Sequence, residues 1–251
     1  MRHFRKPLMI ILIILIASLL ITTAYESIAT DVLINDFKNR GVLVHTQNNQ
    51  RFYLVQKEKE YEDTSRRVLE NFDNNQIGYT GDIYLTSRNP VPSSASIKIL
   101  SEFIWIGHSA LVIDEEAIQT IEITGNDVNN DNIVKVWDNT WYDDLIEETK
   151  EFAVLRVKNA NVNTTLNVVS SAKANIGKPY NYSIIFNTKN SFYCTDLITR
   201  SYKDNGINID YDGLISTGVD MILSKNTYLV YYRQRVIENN EVFYNIYYLG
   251  D

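Results

Sequence analysis

A single cysteine, Cys194, rules out any disulfide within the chain, so the fold has to be held by its core alone. Only three histidines accompany it, His3, His45 and His108, and three scattered imidazoles with one thiol cannot assemble a zinc site. No glycine-rich phosphate loop occurs. The net charge is -7, and lysine and arginine never gather into the basic stripe that nucleic-acid binders carry. No metal, no cofactor and no nucleic-acid partner are therefore expected. Proline is also scarce, with 4 in 251 residues, and no Pro/Gly-rich linker or internal repeat divides the chain. One domain of ordinary size follows an N-terminal segment.

That segment is the most apolar part of the sequence. Arg2, Arg5 and Lys6 precede an uncharged run over 7–25 rich in Ile and Leu. Its length matches the roughly 20 residues that cross a bilayer as a helix. The basic cluster sets the expected orientation, with everything after Tyr25 outside the membrane. The run is longer than a usual signal-peptide core, which favours a retained single-pass anchor. The other outcome is cleavage near Thr22-Thr23-Ala24 and secretion. No cysteine follows the run, so a lipoprotein anchor is excluded.

Residues 26–75 read as a mainly helical arm. Val32, Leu33 and Phe37, and later Val68, Leu69 and Phe72, recur at helical spacing among charges. Short extended pieces at Val42-Leu43-Val44 and Phe52–Val55 lie between them. Residues 76–251 form the main domain. Strands are expected at Gly81–Leu85, Phe103–Ile113, Ile118–Thr124, Ile133–Trp137 and Phe152–Val157. A helix over Thr164–Ile176 follows, with Leu166, Val169, Ala172 and Ile176 on one face and a stop at Gly177. A second helix starts near Cys194 and ends at Gly206, and a hairpin turning at Glu238-Asn239-Asn240 closes the sequence. Strands grouped together with helices to one side make the class α+β.

Three residues carry candidate chemistry. Cys194 falls in the first turn of its helix, where free backbone N–H groups and the helix dipole favour a thiolate. The same N–H groups can receive an oxyanion. Against this stands the common fate of a free cysteine, which is to pack as a small apolar side chain. His108 lies within the apolar strand Trp105–Leu111, where most histidines are satisfied core residues. If Cys194 has an imidazole partner, however, His108 is the natural one. Glu122, within Thr120–Thr124, taken alone suits a solvent-facing strand position better than a catalytic one. A tight loop at Asp114–Glu116 would set Val112 opposite Ile118 and His108 opposite Glu122, with Cβ atoms about 5 Å apart on one face. A one-residue slip would turn Glu122 to the other face. Tyr180 and Tyr193 are candidates to line a cleft. Asp127, Asn129 and Asp131 have a calcium-loop rhythm, but the sixth position is Asn132 rather than glycine, so an Asn/Asp-rich turn explains them better.

The motifs Gly81-Asp82-Ile83, Gly107-His108-Ser109-Ala110-Leu111-Val112, Ile121-Glu122, Gly177-Lys178-Pro179-Tyr180 and Tyr193-Cys194-Thr195-Asp196-Leu197 occur in this order. Together they resemble the circularly permuted branch of the NlpC-type papain-like peptidases, the YiiX/YaeF-like amidases. The resemblance spans roughly 81–206. It implies a permuted papain-like fold, with an antiparallel sheet or small barrel packed on the cysteine helix. It implies Cys194 as nucleophile, His108 as base and Glu122 as the orienting acid of an amide hydrolase. Thr195-Asp196 departs from the Ser-Glu more usual after the cysteine. With export, the implied substrates are cell-wall peptide or a small amino-acid amide. Two other readings stay open. One is a lipid acyl hydrolase or acyltransferase of the lecithin–retinol acyltransferase type, and the other is a surface domain without catalysis.

Overall fold

The computed structural model describes residues 2–69, 72, 76–87, 107–125, 132–141, 151–183, 189–213 and 215–251, with side chains at 9, 14, 17, 18 and from 21 onward. The expected strand residues 103–106 and the Asp127–Asp131 turn lie outside them.

Helix α1 (Arg2–Asn39) runs without a break from the apolar segment into the arm. Thr30, Ile34 and Phe37 are buried near its end, where it packs on α4 (Gly218–Leu223) and β8 (Thr227–Glu238). Among the described residues no helix is long and apolar enough to cross a membrane. The bilayer reading of 7–25 therefore gains no support here, and most side chains of that run are not among those described.

After α1 the arm is extended rather than helical. Strands β1 (Gly41–Gln47) and β2 (Gln50–Gln56) form a hairpin through Asn48 and Asn49, whose φ values are 47 and 61. A two-residue loop with both φ positive gives the backbone twist that paired strands require, and asparagine tolerates that conformation. The hairpin of β8 with β9 (Glu241–Gly250) uses the same device at Asn239 and Asn240, with φ 52 and 65. The helix expected around Val68 and Leu69 does not form among the described residues. Backbone carbonyls that would serve it are taken elsewhere. Arg156 donates to the carbonyls of Asp63 (3.0 Å), Arg66 (2.9 Å) and Arg67 (3.0 Å), and Val68 accepts from Gly78 N–H (2.8 Å).

The sheet is completed by β3 (Ile83–Thr86), β4 (His108–Val112), β5 (Gln119–Glu122), β6 (Lys135–Asp138) and β7 (Glu151–Val157). Among the described residues nine strands lie in the order β1-β2-β9-β8-β7-β3-β4-β5-β6. The expected all-antiparallel sheet needs one correction: β2 and β9 pair in parallel, from Gln50↔Tyr244 to Gln56↔Gly250. The arm is thus built into the sheet, with Phe52 and Val55 buried in the common core.

Helices α2 (Val162–Lys173) and α3 (Cys194–Lys203) pack together, and α3 lies on β4. Asn161 caps α2 by accepting from Thr164 N–H at 2.9 Å. The buried face of α2 is Thr165, Val168, Val169 and Ala172. Leu166 and Ile176, expected inside, are each 51% exposed. Both helices meet the start of β3 at Gly81, which has φ +88. A Cβ there would stand 2.7 Å from Thr165 Cγ2, and the Gly81 carbonyl accepts from the Tyr202 hydroxyl.

One ion pair locks this layout. Arg156 and Asp82 are both 1% exposed and meet through two bonds, Nε–Oδ1 at 2.9 Å and Nη2–Oδ2 at 2.8 Å. Replacing Asp82 by Ala leaves a buried guanidinium without its counter-charge. We expect this to cost about 3–5 kcal/mol of unfolding free energy, measured in urea. A cost below about 1 kcal/mol would show that the pair does not hold the fold.

Candidate active site

Strands β4 and β5 bring His108 and Glu122 together. Their register is Leu111↔Ile121 and Val112↔Thr120, two residues away from the pairing expected of a tight loop. The reason is a longer connection. Asp114 accepts from the N–H groups of Glu116 (3.0 Å), Ile118 (2.9 Å) and Gln119 (2.7 Å), and Ala117 takes φ 53. A shift of two keeps the faces, because side chains alternate with period two. His108 and Glu122 therefore sit diagonally on one face instead of directly opposite. The imidazole Nε2 donates to Glu122 Oε2 at 2.5 Å.

Glu122 is nearly buried, and its other oxygen is also satisfied. Oε1 accepts from Thr120 Oγ1 at 2.8 Å and from Trp141 Nε1 at 3.1 Å. Trp141 lies flat against His108, with ring centroids 5.3 Å apart and planes 15° apart. Asn139 sets that segment in place. Its amide donates to Ala117 O (2.6 Å) and to Tyr84 Oη (3.0 Å), while its oxygen accepts from Trp141 N–H (3.2 Å). Trp141 is a site residue that the sequence reading missed.

Cys194 is the first residue of α3, after Tyr193 in extended conformation. Tyr193 makes no side-chain cap, so no side chain of the cap residue covers the helix-start N–H groups. The helix start is pinned from the side by the 208–217 segment. Thr195 Oγ1 donates to Ser216 O (2.5 Å), and Ser216 Oγ donates to Asp210 Oδ2 (2.6 Å). Arg200 pairs with Asp196 one turn along and reaches Ser191 O at 2.9 Å.

The thiol and the imidazole are near enough for each to act on the other's charge. Since Nε2 is committed to Glu122, Nδ1 is the nitrogen left for sulfur. Burial alone would discharge His108, yet the influence of Cys194 and Glu122 outweighs that and pushes it up to about 10. Burial likewise opposes the thiolate, but His108, with Ser109 and the Thr195 N–H, brings the Cys194 thiol below its usual range. Burial raises Glu122, while the bonds from His108, Thr120 and Trp141 bring it below the ordinary carboxylate value. The arrangement favours a thiolate–imidazolium pair backed by a carboxylate. It can add a sulfur nucleophile to an acyl carbon and return a proton to a leaving group.

Burial raises the Tyr180 phenol, and the charge of Cys194 adds to that rise. Its ring packs so near Gly125 that a Cβ there would stand 3.1 Å away. Tyr193 is 9% exposed, and its hydroxyl accepts from Ser216 N–H at 3.0 Å, so it serves packing more than a cleft wall. His45 lies on β1 with Gln47 and Phe72, apart from this cluster. Glu26, Asp212 and Asp220 form a carboxylate group on other elements, and Asp220 is already the capping partner of Thr217.

An NMR titration of His108 checks the electrostatics. The imidazolium should persist through neutral pH and lose its proton near 10. Glu122→Gln removes the anionic acceptor, so the midpoint must fall. An unchanged midpoint would mean that Glu122 does not hold the charge.

Residues 79–224 match the model of a protein family described as permuted papain-like amidase enzymes, YaeF/YiiX, C92 family. No curated protein matches the chain. A crystal structure titled as the metalloprotein yiiX from Escherichia coli O157:H7 is similar over 61% of this chain and 96% of that one, with 15% identity and a TM-score of 0.39.

Proposed function

The chain belongs to the permuted papain-like amidase family, and from that premise we propose that it is a cysteine amidase working through Cys194, His108 and Glu122. The observation that carries this reading is an imidazole bonded to a buried, triply hydrogen-bonded carboxylate, on a strand against which the helix begun by the thiol packs.

The cycle starts from the ion pair. Cys194 sulfur attacks the carbonyl carbon of an amide, and its oxygen takes up the negative charge against the N–H groups at the start of α3. The imidazolium of His108 gives its proton to the amide nitrogen, the C–N bond breaks, and the amine leaves with a thioester behind it. Neutral His108 then takes a proton from water, whose hydroxide oxygen attacks the thioester carbon. The C–S bond breaks, the acid is released, and the thiolate–imidazolium pair is restored. Glu122 keeps Nε2–H on its own side, so that Nδ1 faces sulfur throughout, the role of an orienting third member. Trp141 covers the imidazole and adds a donor to Glu122. Tyr180 is the proposed substrate-side wall. Tyr193 has less claim, because its hydroxyl is taken by Ser216.

We place the substrate outside the cell membrane, as cell-wall peptide or a small amino-acid amide, on the strength of the basic cluster and apolar run over 2–25. Cell fractionation followed by protease shaving of intact cells tests that placement. Protection of the domain in intact cells would overturn it.

Activity rests on two opposed protonation states, so its pH profile should be bell-shaped. It should rise as the thiolate forms and fall near pH 10 as His108 loses its proton. Cys194→Ala should remove hydrolysis of peptidoglycan fragments altogether. His108→Ala should lower it by about 10²–10⁴-fold. Glu122→Gln should retain part, since the amide oxygen can still accept from Nε2–H. Iodoacetamide should label Cys194 rapidly at neutral pH; the slow rate of an ordinary thiol would sink the catalytic reading.

A further inference from the structure

The three donors on Glu122 are not equivalent. Thr120 lies two residues away on β5 and moves with Glu122, so its bond cannot fix the carboxylate relative to other strands. Trp141 comes from another segment, and its Nε1–Oε1 bond, at 3.1 Å, is the longest of the three. That bond depends on where the indole is held. What holds it is Asn139, which among the described residues makes no bond of its own to His108 or Glu122. We propose that Asn139 is a positioning residue of the His108–Glu122 pair and acts through Trp141. The assignment rests on the reading of that pair as base and orienting acid.

A side-chain amide carries two donor hydrogens and an acceptor, and Asn139 uses both kinds. Nδ2 donates to Ala117 O at 2.6 Å and to Tyr84 Oη at 3.0 Å, and Oδ1 accepts from Trp141 N–H at 3.2 Å. The Asn139 backbone N–H donates to Ile118 O at 2.7 Å. Ala117 and Ile118 lie just before β5, the strand of Glu122, while Tyr84 lies on β3 beside β4, the strand of His108. Tyr84 is 1% exposed and donates in turn to Ile77 O, so its hydroxyl is itself anchored. Trp141 is thereby tied to the surroundings of both partners. Its indole packs among the rings of Tyr84 at 5.4 Å, Phe152 at 5.8 Å and His108 at 5.3 Å. The face turned to His108 is nearly parallel to the imidazole, an arrangement that favours the imidazolium. Without the Asn139 amide the indole keeps these apolar neighbours and loses the bonds that aim Nε1 at the carboxylate. Cys194 also acts on the charge of His108, and none of these bonds touches it.

The test is a double-mutant cycle read by NMR titration of His108 in the full chain. Melting temperature, and kcat and KM on peptidoglycan fragments, are recorded alongside. Asn139→Ala and Trp141→Phe should each lower the His108 midpoint by about one pH unit, since each leaves Glu122 less firmly held. In each, kcat should fall about tenfold with KM little changed. The double variant should also shift by about one unit, because both changes remove the same bond. A turn that serves folding alone would lower the melting temperature and leave the midpoint in place. That result overturns the assignment, as do shifts that add to about two units. Should Asn139→Ala fail to fold, Tyr84→Phe takes one acceptor from Asn139 and keeps the ring. It should move the midpoint the same way by a smaller amount, and an unmoved midpoint overturns the assignment. Failure of the underlying reading looks different: there the unaltered chain neither hydrolyses the fragments nor labels rapidly with iodoacetamide, while the cycle in the His108 midpoint can still be read.

Discussion

The ion pair between Arg156 and Asp82 joins parts of the sequence that are otherwise unrelated. Arg156 comes from β7, Asp82 from the turn before β3, and the carbonyls of Asp63, Arg66 and Arg67 from the arm. Such a guanidinium is tolerable in a core only because its donors are matched by a bidentate carboxylate and by carbonyls. The effect passes to the site through the backbone. Asp82 O accepts from Val112 N–H at 2.9 Å, and Gly81 N–H donates to Val112 O at 2.9 Å. These bonds fix the far end of β4, whose near end is His108. The position of the imidazole thus depends on a pair of charges at the other end of its strand.

The site applies the same logic with a lighter hand. A buried carboxylate is costly unless its oxygens are matched, and Glu122 has three donors from three segments. Two of them, Thr120 and Trp141, add to His108 in favouring the ionised carboxylate against the cost of its burial. The ring of Trp141 lies against His108 and covers one face of the imidazole. Meanwhile Ser216 holds Thr195 and Tyr193, so the start of the cysteine helix is tied down by bonds that do not involve the imidazole.

Much of this was legible in the sequence, and the parts that were not have identifiable causes. The helix at Cys194 and the β8–β9 hairpin follow from amphipathic spacing and an Asn-Asn turn. An equivalent turn at Asn48-Asn49 went unread because the flanking pieces are short and lie in a helical-looking arm. Period-two alternation was enough to put His108 and Glu122 on one face, although the loop length was misjudged by two residues. That error was harmless by parity; an error of one would have separated them. The absence of a helix near Val68 was beyond local pattern, since its carbonyls are claimed by an arginine about 90 residues later. Trp141 was hidden for a similar reason. Its role is written in contacts with β4 and β5, and no motif marks it.

The parallel junction of β2 with β9 sets an order of events in folding. The β1–β2 hairpin precedes β9, the partner strand of β2, by most of the other strands in sequence order. Until β9 joins it, Phe52 and Val55 have no sheet to enter, and the edge of β2 is open to strangers. Contacts this distant in sequence slow the search for the native state, because loop closure must precede any reward. The β4–β5 hairpin, by contrast, is local and can form before more distant partners are available. The β2–β9 junction, buried inside the sheet with β1 outside it, is therefore a late contact of this molecule, made after the hairpin that holds His108 and Glu122.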